Sequence, residues 1–190
     1  MPAQAVREAH AAGQLAFGEN YIQEGVDKIA SLADLPLEWH CIGPIQSNKS
    51  KLVAENFAWV HSIDRLKIAE RLSAQRPAHL PPLQICLQVN VDGGNNKSGV
   101  TPSELLELAQ AVAKLPHLQL RGLMTIPEPA ANELAARTVH RQAKELFDSL
   151  NAAGLKLDTL SMGMTADLEA AIAEGSTCVR VGTAIFGVRL

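Results

Sequence analysis

Short apolar runs alternate along the chain with longer segments whose apolar positions recur every three or four residues, which is the pattern of repeated β/α units. The strand-like runs are 15–18, 38–42, 58–63, 83–91, 118–125, 159–161 and 177–181, so seven strands are predicted. Helical periodicity predicts helices near 3–12, 20–31, 46–56, 65–75, 102–115, 132–152 and 166–174. The fifth has the clearest punctuation. Thr101-Pro102-Ser103-Glu104 reads as a capping box with proline at the first helical position, Leu105, Leu108, Ala109, Val112 and Leu115 form one stripe, and Pro116 stops it. Continuous apolar runs such as Leu83-Gln84-Ile85-Cys86-Leu87 predict a parallel sheet covered by helices, either doubly wound or closed into a barrel. The strand count favours a (β/α)8 TIM-barrel. Such a barrel has eight strands and this chain opens directly on a helix at Pro2, so one strand is expected to be missing ahead of Met1.

Composition narrows the function. With 190 residues, 47% of them hydrophobic, and no linker or low-complexity tract, one domain over 1–190 is expected. Seventeen Lys and Arg against twenty Asp and Glu, a net charge of -3, give no electrostatic reason to expect nucleic acid or an anionic membrane as partner. Cys41, Cys86 and Cys178 are far apart and sit in or beside strand-like runs, so they read as buried reduced thiols. Neither they nor the six histidines show metal-ligand spacing, and no metal is expected. The first residues carry charges and no apolar run, and no stretch approaches a membrane span, so a cytoplasmic protein with a small-molecule ligand is expected.

In a β/α-barrel, ligands lie at the C-terminal ends of the strands and phosphate is often held by the loops after the last two. Met162-Gly163-Met164-Thr165 and Gly182-Thr183 are those two loops. Glycine lets backbone N–H groups approach an anion and a threonine hydroxyl adds a donor. Each loop alone has a plainer reading, Thr165 as a helix cap for instance, while the pair predicts a phosphate cradle. Arg180 shares a strand face with Gly182 and is the one charge in an apolar strand, so it needs a partner. That partner is either an acidic neighbour or a ligand's ring nitrogen or phosphate. Asn20, between a strand and a helix, is a cap or a pocket residue. His40 reads as a satisfied core histidine, Gln46, Asn48 and Lys49 lie at the strand's C-terminal rim, and Lys97 is either a lid contact or solvated.

The segments FGENYIQE, HCIGPIQSNKSKLV, SIDRL, KSGV, RGLMTIP, LSMGMTADLEAAI and GSTCVRVGTAIFG resemble, in order and over almost the whole chain, the YggS/PROSC family of pyridoxal-phosphate-binding proteins. The resemblance implies an alanine-racemase N-terminal-domain type barrel, a cytoplasmic monomer, and a role in pyridoxal 5'-phosphate (PLP) homeostasis with no assigned enzymatic activity. It implies that Gly163, Met164, Thr165, Gly182 and Thr183 hold the phosphate, that Arg180 faces the pyridine nitrogen, that Asn20 lies near the ring, and that Ile42, Gly43 and Met124 neighbour the ring or rim. PLP-dependent apoenzymes are implied as recipients.

One departure is large. Family members carry a first strand ending in a Ser-Lys-Thr-Lys-Pro type motif whose first lysine forms the Schiff base, and no residue here matches that lysine, so no catalytic residue is expected. An incomplete gene model or a truncated product is therefore expected and, for the polypeptide as it stands, weak noncovalent cofactor binding and lowered stability. The alternatives are a racemase-like PLP enzyme, a barrel for another phosphorylated metabolite, and an interaction protein. A racemase would need a second acid/base, commonly a tyrosine from a further domain, and the sole tyrosine here is Tyr21.

Overall fold

The computed structural model describes residues 1–93 and 98–187. Seven strands form a single parallel sheet in sequence order: β1 (Ala16–Glu19), β2 (Glu38–Cys41), β3 (Trp59–Ile63), β4 (Leu83–Gln88), β5 (Leu118–Met124), β6 (Thr159–Met164) and β7 (Cys178–Arg180). The connecting helices are α1 (Ala3–Ala11), α2 (Ile22–Ser31), α3 (Ser50–Asn56), α4 (Leu66–Gln75), α5 (Leu105–Val112), α6 (Glu133–Ala152), α7 (Leu168–Ala173) and the single turn α8 (Thr183–Phe186). All seven predicted strands are present.

The sheet is curled. His61 of β3 and Ser161 of β6 are three strands apart, which in a flat sheet is about 14 Å, yet their side chains meet at 2.9 Å. The curl gives the sheet two unlike faces. The outer face presents Phe17, Trp39, Val60, Leu87, Leu123 and Leu160 to the helices, and all six belong to one hydrophobic core. That layer carries the apolar burial that stabilises the fold, at roughly 1.5 to 3 kcal/mol for each large side chain. Alternation along each strand turns the intervening residues inward, and there polar side chains, His40, His61, Ser161 and Arg180, stand beside apolar ones such as Met124.

Buried charges outside the barrel are matched. Lys28 of α2 pairs with Glu19 of β1, and Arg76 donates to the carbonyls of Ala54, Phe57 and Pro81. Removing one partner of the first pair would leave a stranded buried charge.

Element boundaries shift from the periodicity by a few residues at many ends, and four departures are larger or change the reading. The capping box does not form: 101–104 is a turn, α5 begins at Leu105, and the Thr101 hydroxyl donates to the Glu104 carboxylate at 2.6 Å instead of accepting a backbone N–H. β4 stops at Gln88, with an isolated bridge from Val89 to Val100 beyond it. β6 runs on to Met164, through Gly163. α8 was not predicted, being too short to show a period.

Candidate functional site

At the C-terminal ends of β1 and β2 the backbones touch. A Cβ on Gly43 would stand 2.0 Å from the carbonyl oxygen of Asn20, so only glycine lets the two loops approach this closely. The Ile42 N–H donates to the Glu19 carbonyl at 3.0 Å. The Gly43 carbonyl in turn accepts the Ser62 hydroxyl of β3 at 2.6 Å. Asn20, Ile42 and Gly43 are thereby brought together. Asn20 is not the helix cap, because α2 starts at Ile22 and Tyr21 is the flanking residue. Gln46 and Asn48 are exposed beyond β2, and Lys49 is half-buried at the end of a short 3-10 turn, Ser47–Lys49.

The loops after β6 and β7 also meet. Gly163 has φ 91°, and a Cβ there would lie 2.5 Å from the Cβ of Ala171, so glycine permits both the turn and the close seating of α7 on β6. The Met164 N–H donates to Asp167 Oδ1 at 2.7 Å. The other oxygen of that carboxylate is 2.9 Å from Nε2 of His140, which is buried on α6. The Thr165 hydroxyl does not cap α7, whose flanking residue is Asp167. Instead it accepts the backbone N–H of Ala184, next to Thr183, at 3.4 Å. Thr165, Gly182 and Thr183 are exposed, and a Cβ on Gly182 would meet nothing within 4 Å.

Arg180 of β7 reaches across β6 toward the end of β5. Its Nη1 donates to the Ser161 carbonyl and hydroxyl, both at 2.8 Å, and its Nη2 to the Thr125 carbonyl at 2.7 Å. No carboxylate of the described residues forms an ion pair with it, and burial lowers its pKa from the ordinary arginine value. The acidic-neighbour alternative is therefore not what the described residues show. Met124 is fully buried in register with Ser161 on the neighbouring strand, on the inner face. The Thr125 hydroxyl is buried and has no hydrogen-bond partner among the described residues.

Sequence reasoning missed Thr125, Ser161, His61, His140 and Asp167. Only His140 left a signal, its place on the buried α6 face with Ala136, Ala143 and Phe147. His40 is satisfied, by Glu38 and His61. Lys97 lies outside the described residues. The thiols are free, and burial pushes Cys41 up to about 12 and raises Cys86 and Cys178.

Residues 2–190 match the family model of the alanine racemase N-terminal domain. The chain is 64% identical over 188 residues to the pyridoxal phosphate homeostasis protein of Pseudomonas aeruginosa, covering 99% of this chain and 80% of that one. It is 58% identical over 191 residues to the protein of the same name from Escherichia coli K12, covering 99% and 82%.

The chain belongs to the pyridoxal phosphate homeostasis protein family.

Among solved structures, PipY of Synechococcus elongatus superposes on this member of the pyridoxal phosphate homeostasis protein family with a TM-score of 0.90 without PLP, at 42% identity over 98% of this chain and 88% of that one. The PipY structure with PLP bound gives a TM-score of 0.89 at 41% identity over the same shares. An alanine racemase of Clostridium difficile shares the fold, with a TM-score of 0.82 at 14% identity over 98% of this chain and 48% of that one. The barrel is thus of the alanine-racemase N-terminal-domain type. No helix among the described residues is long and apolar enough to cross a membrane.

Proposed function

We propose that residues 1–190 form one PLP-binding unit that serves intracellular PLP homeostasis and carries out no turnover of its own. The observation that carries this reading is the 3.4 Å contact from Ala184 N–H to the Thr165 hydroxyl, which joins the two glycine and threonine loops. Thr165, Gly182 and Thr183 hold the phosphate, together with the Gly163 turn that sets the path of the first loop. Met164 contributes its place in that turn, since its N–H is committed to Asp167.

The rest of the site fits the same group. Arg180, a donor without a carboxylate partner among the described residues, faces the ring nitrogen; an arginine donates and does not give up a proton, so the nitrogen accepts. Asn20, Ile42, Gly43 and Met124 border the ring, and the unpartnered Thr125 hydroxyl beside the Arg180-binding carbonyl is a further polar group on that side. When bound, PLP supplies an aldehyde that reacts with amines and a ring that draws electrons. A ring nitrogen without a proton draws them weakly.

None of the eight lysines matches the position to which the resemblance gives the covalent role. The single tyrosine, Tyr21, is 58% exposed in the loop after β1, which offers no support for an opposing acid/base. The protein acts as a cytoplasmic monomer, and PLP-dependent apoenzymes are the recipients.

A spectral titration of the purified chain with PLP, with a sugar phosphate as competitor, tests the reading. Saturable PLP binding that the competitor displaces poorly, no amino-acid racemisation, and no lysine labelled after borohydride are expected. Equal affinity for the sugar phosphate, or measurable racemisation, would overturn it.

A further inference from the structure

The barrel interior holds a line of polar side chains that the phosphate and ring contacts do not use. From Arg180 Nη1 to Ser161 Oγ is 2.8 Å, from Ser161 Oγ to His61 Nδ1 2.9 Å, from His61 Nε2 to His40 Nδ1 2.9 Å, and from His40 Nε2 to Glu38 Oε1 3.0 Å. The line starts at the ligand end of β7 and ends at the first residue of β2, crossing the barrel from one mouth to the other.

The chemistry of the members fixes its direction. Arginine only donates and a carboxylate anion only accepts. Burial depresses both imidazoles below the ordinary histidine range, His61 to about 3, so both are neutral at pH 7 and each has one donor and one acceptor nitrogen. His40 must donate from Nε2 to Glu38, which leaves its Nδ1 as acceptor. His61 must then donate from Nε2, which leaves its Nδ1 to accept the Ser161 hydroxyl. Ser161 keeps a lone pair for Arg180. The opposite direction would set an imidazole lone pair against the Glu38 carboxylate. The Cys178 thiol also neighbours Ser161, and burial keeps it protonated, so it does not displace His61 as the acceptor.

We propose that Ser161, His61, His40 and Glu38 form a one-directional hydrogen-bond relay that positions the Arg180 guanidinium and connects the ring-nitrogen end of the cofactor site to the opposite mouth of the barrel. This rests on the reading of Arg180 as the ring-nitrogen partner. Each member that donates onward becomes a better acceptor for the one behind it, so the line polarises toward Arg180 and helps hold a cation that has no ion-pair partner among the described residues. At its far end the relay reaches solvent. Glu38 has a half-exposed side chain, and His40 and His61 line a cavity of about 240 Å3 with Trp59 and Arg121. Trp59 stacks on His40 at 5.3 Å, with planes 4° apart, and the Arg121 guanidinium lies 4.9 Å from the centre of the Trp59 ring, so the His40 ring plane is fixed from outside the line. Ser161 and His61 are positioning residues, not catalytic ones.

The test uses long-range 1H–15N NMR of the imidazoles in the whole chain, with PLP and with inorganic phosphate as probes. In the PLP-free chain His40 and His61 are both expected as the neutral Nε2–H tautomer at pH 7. PLP is expected to shift both, and inorganic phosphate to shift neither. Ser161→Ala is expected to weaken PLP about tenfold while leaving inorganic phosphate within twofold, and Ser161→Thr to restore most of the loss. An Nδ1–H tautomer at His61, PLP binding that moves neither imidazole, or an unchanged PLP affinity in Ser161→Ala would overturn the relay. Failure of the wild-type chain to bind PLP would overturn the cofactor reading instead, and the PLP-free tautomers would still decide the direction of the line.

Discussion

Replacing His61 with glutamine should flatten the acid side of the stability profile. His61 is 1% exposed, and burial holds its pKa down to about 3, with the nearby His40 and Arg180 adding to the effect. In the unfolded chain the same imidazole titrates near 6.5. Between those two values the unfolded chain takes up a proton that the folded one refuses, so stability is full above 6.5 and falls as the pH drops toward 3. Each pH unit in that window is worth about 1.4 kcal/mol, so the step from pH 7 to pH 4.5 removes about 3 kcal/mol through this one group. That is a large part of the roughly 5 to 15 kcal/mol that a domain has in total. Glutamine has a donor and an acceptor but takes up no proton in this range. Urea unfolding followed by the fluorescence of Trp39 and Trp59 at the two pH values gives the difference for wild type and His61→Gln. The variant is expected to lose about 3 kcal/mol less than wild type on acidification. Equal acid losses in the two proteins would refute the argument.

Further outcomes follow from the site's geometry. Gly163→Ala meets both a left-handed backbone and a 2.5 Å approach to Ala171, and should cost upwards of about 2 kcal/mol in urea unfolding and abolish PLP binding by calorimetry. Gly43→Ala would press a methyl onto the Asn20 carbonyl and should weaken PLP while leaving inorganic phosphate affinity nearly unchanged, because its loop lies away from Thr165. Thr165→Val removes the hydroxyl that joins the loops after β6 and β7 and, if these hold the phosphate as proposed, should weaken PLP and inorganic phosphate alike, by about tenfold in equilibrium titration. Arg180→Met leaves the Thr125 carbonyl without its arginine donor, while the Ser161 carbonyl keeps the Thr125 N–H, and should destabilise the fold by about 2 kcal/mol in the same unfolding assay.

The fold was legible because its apolar runs and helical stripes are long enough for their periods to be counted, and all seven strands emerged in place. The two glycine and threonine loops stood out for a different reason, since such residues at the ends of the last two strands have a mechanical meaning in any β/α-barrel, and the structure brings the two loops into contact. The interior was not. Ser161 sits in a run, Leu160-Ser161-Met162, that reads as ordinary strand, and His61 is one polar residue between Val60 and Ser62. What makes them partners is the curl of the sheet, which brings together residues 100 positions apart. Short-range spacing carries no trace of that. The capping box failed for a local reason: the Thr101 hydroxyl found the Glu104 side chain before a backbone amide, and a turn replaced the first helical residues.

Calorimetric titration with PLP, pyridoxal and inorganic phosphate measures the central claim most directly, because pyridoxal keeps the ring and lacks the phosphate. If the loops at Thr165 and Thr183 anchor the ligand, PLP binds at least a hundredfold more tightly than pyridoxal, inorganic phosphate competes with it, and Thr165→Val removes most of the difference. Equal affinities for PLP and pyridoxal would contradict the claim.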